Sequence, residues 1–336
     1  MEPVPVGGGG IRATPLAFES FGARSMATFV ETDDVKILVD PGAALGQRFS
    51  LAPHPKEYLA LVRAKQRIQE AGRRADVITV SHYHFDHYTP NFEDWGLVWS
   101  SPEMAERLYR GKMIMAKDTS SNINPSQRKR GYMFWKLNSR IADMKSADGQ
   151  KFEFGGTRLE FSKPVSHGPE GAEIGYVLML SVKTEDAVLV HASDVQGPIE
   201  RGTLQLILNE NPSAVILGGP PLYLQGFRVE PGDMARALEN IKELVSRVPL
   251  VVVDHHLLRS LDYLDFLKPA ASEAEKKGHR LSTASELVGH EPQLLEARRR
   301  ELHANEPVER GWYSRLEKGE FKEGLQLTSA QERPSP

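Results

Sequence analysis

Six consecutive positions, His82-Tyr83-His84-Phe85-Asp86-His87, place three imidazoles and a carboxylate in the pattern H-x-H-x-D-H, directly after the apolar stretch Val77-Ile78-Thr79-Val80. Such a run needs a rigid support, and a strand that ends in liganding residues is one way to build it. Successive side chains of an extended segment point to opposite sides, so His82 and His84 share a side, and Asp86 joins them while the chain stays extended. A turn after the strand then brings His87 round to the same pocket. Neutral imidazole and carboxylate suit zinc, iron or manganese, and no thiolate is available because the chain has no cysteine. The run reads as half of a two-metal site. The competing reading, unrelated polar residues on a surface, does not account for so dense a cluster in a chain with 11 histidines.

The remaining composition removes several classes. A length of 336 residues allows one large domain or two ordinary ones with a sizeable core. A formal net charge of −3 gives no global basic field to recruit nucleic acid, so polyanion binding would have to be local. Without cysteine there are no disulfides, which fits a reducing cytoplasm or a hot habitat. No segment reaches the roughly 18 consecutive apolar residues of a membrane span. The first residues lack both a basic and an apolar segment, so the expectation is a cytoplasmic, unprocessed protein with no membrane partner.

Along the chain, residues 1–10, ending in Gly7 to Gly10, read as a flexible leader. Residues 11–290 read as the main domain. Its opening predicts strands at 14–18, 26–31 and 36–39, a helix over 58–73, and the strand 75–81 that delivers the histidine run. The segment 102–146 reads as a helical insertion or lid carrying Gln127-Arg128-Lys129-Arg130, followed by Tyr132, Phe134 and Trp135. Strands return at 151–154, 157–162, 174–182, 187–192, 214–217 and 249–254. An amphipathic helix with Met234, Leu238, Ile241 and Val245 on one stripe precedes the last of them. The second half repeats the order of the first without a sequence repeat, so any duplication would be structural. Residues 291–336 read as a charged C-terminal extension, partly disordered.

Two metals need more ligands than this run supplies, and other strand ends offer them. His167 follows the strand 157–162, Asp194 follows 187–192, and His255 and His256 end 249–254. In this order, with Asp40 before them, the residues resemble the metallo-β-lactamase superfamily of binuclear hydrolases over roughly residues 14 to 260. The phrases from Ser20 to Thr28 and from Asp254 to Arg259 resemble an archaeal-type branch described only as hydrolases. The resemblance implies an α/β fold, a four-layer αβ/βα sandwich with two stacked mixed sheets. It implies His82, His84 and His167 on one divalent ion, Asp86, His87 and the last histidine on the other, and Asp194 bridging. Zinc is the expected metal, with iron or manganese as alternatives. Asp40 would hydrogen-bond a ligand histidine to fix its ring. In the family's RNA-processing members the last ligand is followed four places later by arginine, which favours His255, with Arg259, over His256. His256 then becomes a neighbour across the turn and a proton donor. Singly, His167 would read as a loop histidine and Asp194 as a turn former. His54, His279, His290 and His303 read as solvated, and His191 as structural.

The chemistry this implies is hydrolysis by a water ionised between two cations, with Asp86 and Asp194 as the catalytic carboxylates. A phosphoester, nucleotide-like or nucleic-acid-like, is the favoured substrate. A lactone, carboxylic ester or thioester is the alternative, and a non-catalytic metal-binding module is the second. A redox member would replace His84 with a carboxylate and add a flavin domain. Rim candidates for substrate contact are Arg24, Arg128, Arg130 and Tyr223. The expected partner is a small-molecule or nucleotide-like anion, with homo-oligomerisation open.

Overall fold

Two seven-stranded mixed sheets face each other in a computed structural model that describes residues 1–171 and 174–322. The first sheet contains, in spatial order, β1 (Val4–Val6), β2 (Ile11–Phe18), β3 (Met26–Glu31), β4 (Lys36–Val39), β5 (Val77–Val80), β6 (Met113–Ala116) and β7 (Asp143–Ser146). The second is built from β8 (Lys151–Phe154), β9 (Thr157–Phe161), β12 (Leu180–Lys183), β13 (Val188–Ala192), β14 (Ala214–Gly218), β15 (Leu250–Asp254) and β16 (Arg280–Ser282). A short pair, β10 (Val165–Ser166) and β11 (Tyr176–Val177), stands apart. Each large sheet runs through three antiparallel ladders and then three parallel ones. The two halves of the chain thus share one pairing pattern without sharing a sequence repeat.

Strand alternation sorts the apolar side chains into layers. Ile37, Val39, Val77, Leu180, Ile216 and Val252 meet between the sheets. Leu38 and Ile78 face the other way, onto α1 (Pro55–Arg74), α2 (Pro102–Tyr109) and α3 (Pro125–Asn138). Val215, Leu217, Val251 and Val253 face α4 (Arg201–Asn209), α5 (Pro231–Arg247) and α6 (Tyr263–Lys277). The result is the expected helix–sheet–sheet–helix sandwich, each layer held by burial of apolar area. Three short helices, α7 (Ala284–Leu287), α8 (Arg299–Asn305) and α9 (Trp312–Glu317), follow.

Five expectations change. The leader is not free: Val4-Pro5-Val6 pairs with β2, Val6 is buried, and Gly7 to Gly10 form the connecting turn. Pro5 is tolerated because β1 is an edge strand. The segment 102–146 is not helical throughout, since β6 and β7 extend the first sheet between and after its two helices. A short apolar run such as Met113-Ile114-Met115-Ala116 cannot be told from a buried helix by periodicity alone. The stretch 174–182 is split between β11 and β12. The charged segment after residue 290 is packed against the first half as far as it is described. Arg299 is wholly buried and forms a bidentate pair with Glu57 at 2.8 and 2.7 Å. Trp312 packs on Tyr58, and Tyr313 donates to the Pro53 carbonyl. Residues 323–336, the rest of the predicted disordered extension, lie outside the described residues. His54, expected in solvent, is buried and caps α1, accepting from the Lys56 N–H while its own N–H reaches Glu57.

One core side chain conflicts with its surroundings. Lys65 lies on the buried stripe of α1 between Leu61 and Ile68, is 2% exposed, and its Nζ has no hydrogen-bond partner among the described residues. Burial pushes its ammonium down to about 7, against the weaker opposing fields of Asp94 and Asp86. The unfolded chain, with an ordinary lysine near 10.5, therefore binds a proton that the folded chain releases between those two values. Stability must rise with pH across that window, and the full penalty falls below it. Lys65→Met should stabilise the protein at pH 7 by several kcal/mol and flatten the rise between pH 7 and 10 in urea unfolding. Equal slopes in the two proteins would sink this account.

Candidate metal centre

The site forms where strands of both sheets end. Asp40 follows β4, the histidine run follows β5, Asp194 follows β13 and His255 follows β15. Asp40, Asp194 and His255 adopt left-handed backbone, with φ of 47°, 48° and 64°. That conformation is costly for most residues and least so for Asp, Asn and His. It turns the chain sharply enough to aim each side chain back over the sheet edge. Gly42 lets the turn after Asp40 press on the histidine loop: a Cβ there would lie 2.1 Å from the Tyr88 nitrogen.

Asp194 is the centre of the arrangement. Its Oδ2 lies 2.9 Å from His167 Nε2, 3.1 Å from His87 Nε2 and 3.3 Å from His82 Nε2. Its Oδ1 lies 3.1 Å from His255 Nε2 and 3.4 Å from His256 Nε2. His84 Nδ1 is 3.0 Å from His82 Nε2. One group, His82, His84, His167 and Asp194, and a second, Asp86, His87 and His255, each bring their donor atoms within 4.8 Å of one another. The sequence-predicted ligands are therefore brought together in two half-sites with Asp194 between them. Asp194 with His255 and His256 satisfies the same criterion, so distance alone does not separate the two histidines.

The second ring nitrogens do separate them. His255 turns Nδ1 to Glu19 at 3.2 Å and is wholly buried. His256 turns Nδ1 to the Tyr223 hydroxyl at 3.3 Å and stays partly exposed. A carboxylate beside the far nitrogen steadies the ring of a ligand histidine; Glu19 stands there at ion-pair distance without a hydrogen bond to Nδ1, and its charge favours His255. Asp40 steadies the His87 ring, accepting from Nδ1 at 2.9 Å while Ser81 and Ser193 each donate to it at 2.6 Å. These bonds to His87, with the fields of His191 and His82, overcome burial and hold Asp40 at about 2.

The donor set fits divalent cations. His87 Nε2, His255 Nε2 and Asp194 Oδ1 are buried and lack a hydrogen-bond partner among the described residues, although they approach one another closely. Burial, and then the field of His87, pushes His82 down to about 4, so it is neutral as a ligand must be. At His87 and His255 the surrounding carboxylates outweigh burial and raise the imidazoles, His255 to about 9. The pocket demands positive charge, which protons or metal ions can supply.

The rim candidates fare unevenly. Tyr223 touches His256 and accepts a hydrogen bond from Arg259 at 3.1 Å. Arg24 is committed to Glu296 through two bonds of 2.6 and 2.7 Å. Arg130 packs over the Phe85 ring, and Arg128 is an exposed residue of α3. Three contributors escaped the sequence reading: Glu19, Ser193 and Gln127. Ser193 sits beside Asp194, a visible position. Glu19 also accepts from Arg259 Nε at 2.6 Å, and its only signal was a charge directly after an apolar strand. Gln127 was seen only as the head of a basic run. It is wholly buried, donates to the Ile174 carbonyl at 2.9 Å, accepts from the Tyr83 N–H at 3.3 Å, and lies 3.4 Å from His84 Nε2. It ties the loop of His84 to the chain that follows His167. Gln127→Leu should weaken zinc binding about 10- to 100-fold in a chelator competition and shift the visible spectrum of the cobalt-substituted protein, with Gln127→Glu closer to the parent. Unchanged affinity would remove Gln127 from the positioning set.

Known proteins resemble this chain in sequence and in fold. The Metallo-beta-lactamase superfamily family model matches residues 22–89. A UPF0282 protein of Methanopyrus kandleri is 45% identical over 298 residues, which cover 88% of this chain and all of that one. Another, of Thermococcus sibiricus, is 41% identical over 314 residues, covering 90% and 100%. Among solved structures, the metallo-beta-lactamase fold protein YhfI of Bacillus subtilis aligns with 81% of this chain and 95% of its own at a TM-score of 0.49 and 14% identity. The chain belongs to the UPF0282 family, and its residues 22–89 match the model of the metallo-β-lactamase superfamily.

Proposed function

We propose that the protein is a metal-dependent hydrolase of phosphoesters. The observation that carries this reading is Asp194, a buried carboxylate with one oxygen turned to His82, His87 and His167 and the other to His255. Two divalent ions held in these half-sites would lower the pKa of a water towards neutrality and attract an oxygen of the substrate.

The protein's own groups define the rest. Asp86 would be kept ionised by the positive charge beside it, that of protonated His87 and His255 without metal or of the cations that replace those protons, which outweighs its burial. A carboxylate held so far below its ordinary range is a weak base, so its part is to accept a hydrogen bond from the attacking water and orient it. Glu19 and Asp40 hold the rings of His255 and His87. His256, beside the Tyr223 hydroxyl and partly exposed, would serve as the proton donor to a leaving group. Asp40, Asp86, Asp194 and Glu19 carry four negative charges, which would balance two divalent cations when the histidines are neutral, so the positive field that would favour an anionic substrate is that of the neighbouring arginines. Arg48 and Arg259, both against the Tyr223 ring, supply this field.

Purified protein should contain about two equivalents of a divalent metal, as a two-metal site requires. His82→Ala or Asp194→Ala should lose both metal and turnover while leaving the far-ultraviolet spectrum unchanged. Against bis-p-nitrophenyl phosphate, single-stranded RNA and an acyl homoserine lactone, a phosphodiester should be cleaved with the highest kcat/KM. Preferential opening of the lactone would overturn the substrate class, and full turnover by either alanine variant would overturn the site.

A further inference from the structure

The histidine loop has two faces. His84, Asp86 and His87 turn towards the metal centre, while Phe85 and Tyr88 turn the other way and form one wall of a groove of about 440 Å³. The opposite wall is α3, which contributes Lys129, Arg130, Met133 and Leu137, spaced as one face of a helix. Phe92 closes one end, its ring 5.4 Å from that of Phe85 in an edge-on arrangement. The volume lies in the range of small-molecule sites, and the lining is apolar apart from a few polar groups, as in such sites.

Two details make this more than a surface dent. Phe92 and Met133, both lining the groove, are 41% and 44% exposed, large apolar side chains left open. Lys129 and Arg130 stand beside them, and among the described residues neither forms an ion pair. Arg130 is already placed: its guanidinium lies 4.5 Å from the Phe85 ring centre and donates to the Tyr83 carbonyl at 3.3 Å, which leaves its other N–H groups open. A fixed guanidinium and a free ammonium beside an apolar cleft are complementary to an anion with an apolar tail.

We propose that this groove binds an amphipathic anion, with its apolar body between Phe85, Phe92, Met133 and Leu137 and its anionic head on Lys129 and Arg130. The site is distinct from the metal centre, on the back of the same loop, and it does not depend on the hydrolytic reading. A carboxylate or a phosphate serves equally as the head, so the test carries both. Calorimetric titration of the metal-loaded protein with decanoate and with decyl phosphate should show saturable binding of at least one. Decanol and inorganic phosphate should each bind at least tenfold more weakly. Lys129→Glu and Met133→Asp, both at exposed positions, should each weaken the amphiphile at least fivefold with metal content unchanged. Three results would overturn the proposal: no saturable binding of either amphiphile, decanol binding as tightly as the anions, or unaltered affinity in both variants. None of these bears on metal content or on phosphodiester cleavage, so the two readings fail separately.

Discussion

A single carboxylate organises the structure around it. Asp194 is fully buried and has imidazoles on both of its oxygens. Packing so many polar atoms out of water is unfavourable unless each finds a partner. The inner nitrogens reach one another and Asp194; the outer ones of His82, His84 and His87 reach Ser81, Gln127 and Asp40, that of His255 lies at ion-pair distance from Glu19, and that of His167 has no hydrogen-bond partner among the described residues. These supports come from α3, the end of β4 and the turn after β2, elements on both sides of the first sheet. The candidate metal site therefore draws on several elements of the first half of the fold, and its geometry can be no looser than their packing.

The sheet architecture explains why the ligands arrive from such distant points in sequence. In the parallel portion of each sheet the strands all end on one edge, and the loops beyond them converge there. β4 and β5 are neighbours in the first sheet, and β13, β14 and β15 in the second. Facing the sheets across a shared core lets the two edges meet. Left-handed residues at Asp40, Asp194 and His255 spend backbone strain at that edge, where the surrounding bonds hold it in place.

Legibility from sequence followed locality. The strands from Met26 to Glu31 and from Lys36 to Val39 have the limits that alternation suggests, and the histidine run declares itself because its members are adjacent. The order of isolated residues then pointed to His167, Asp194 and His255, which the fold brings to the same centre. Glu19 and Gln127 could not be read in this way. Each acts on a partner far along the chain, and neither belongs to a local pattern of period or spacing. The same reason hid β6 and β7, whose identity as strands is decided by neighbours in the sheet rather than by their own residues. Arg24 shows the opposite case: a charge conspicuous in the sequence is paired in the fold with Glu296, a partner far along the chain that no local pattern announces.

That pairing bears on the last segment of the chain. Charges after residue 290 look solvated when read in isolation, yet Glu296 binds Arg24, Arg299 binds Glu57, and Glu306 binds Lys56. Each of these partners lies in the first 60 residues, so residues 296–306 are strapped to the helix and turn that precede the histidine loop. For Glu57 and Arg299, both almost wholly buried, the Coulombic gain is offset by desolvation, and the pair adds little beyond an apolar substitute. Removing one member is another matter, because it strands a charge in the interior at a cost of about 3–5 kcal/mol. The strap is thus asymmetric in its energetics: it contributes modestly when complete and is costly to interrupt. A boundary drawn at residue 290 on composition would cut through the folded unit.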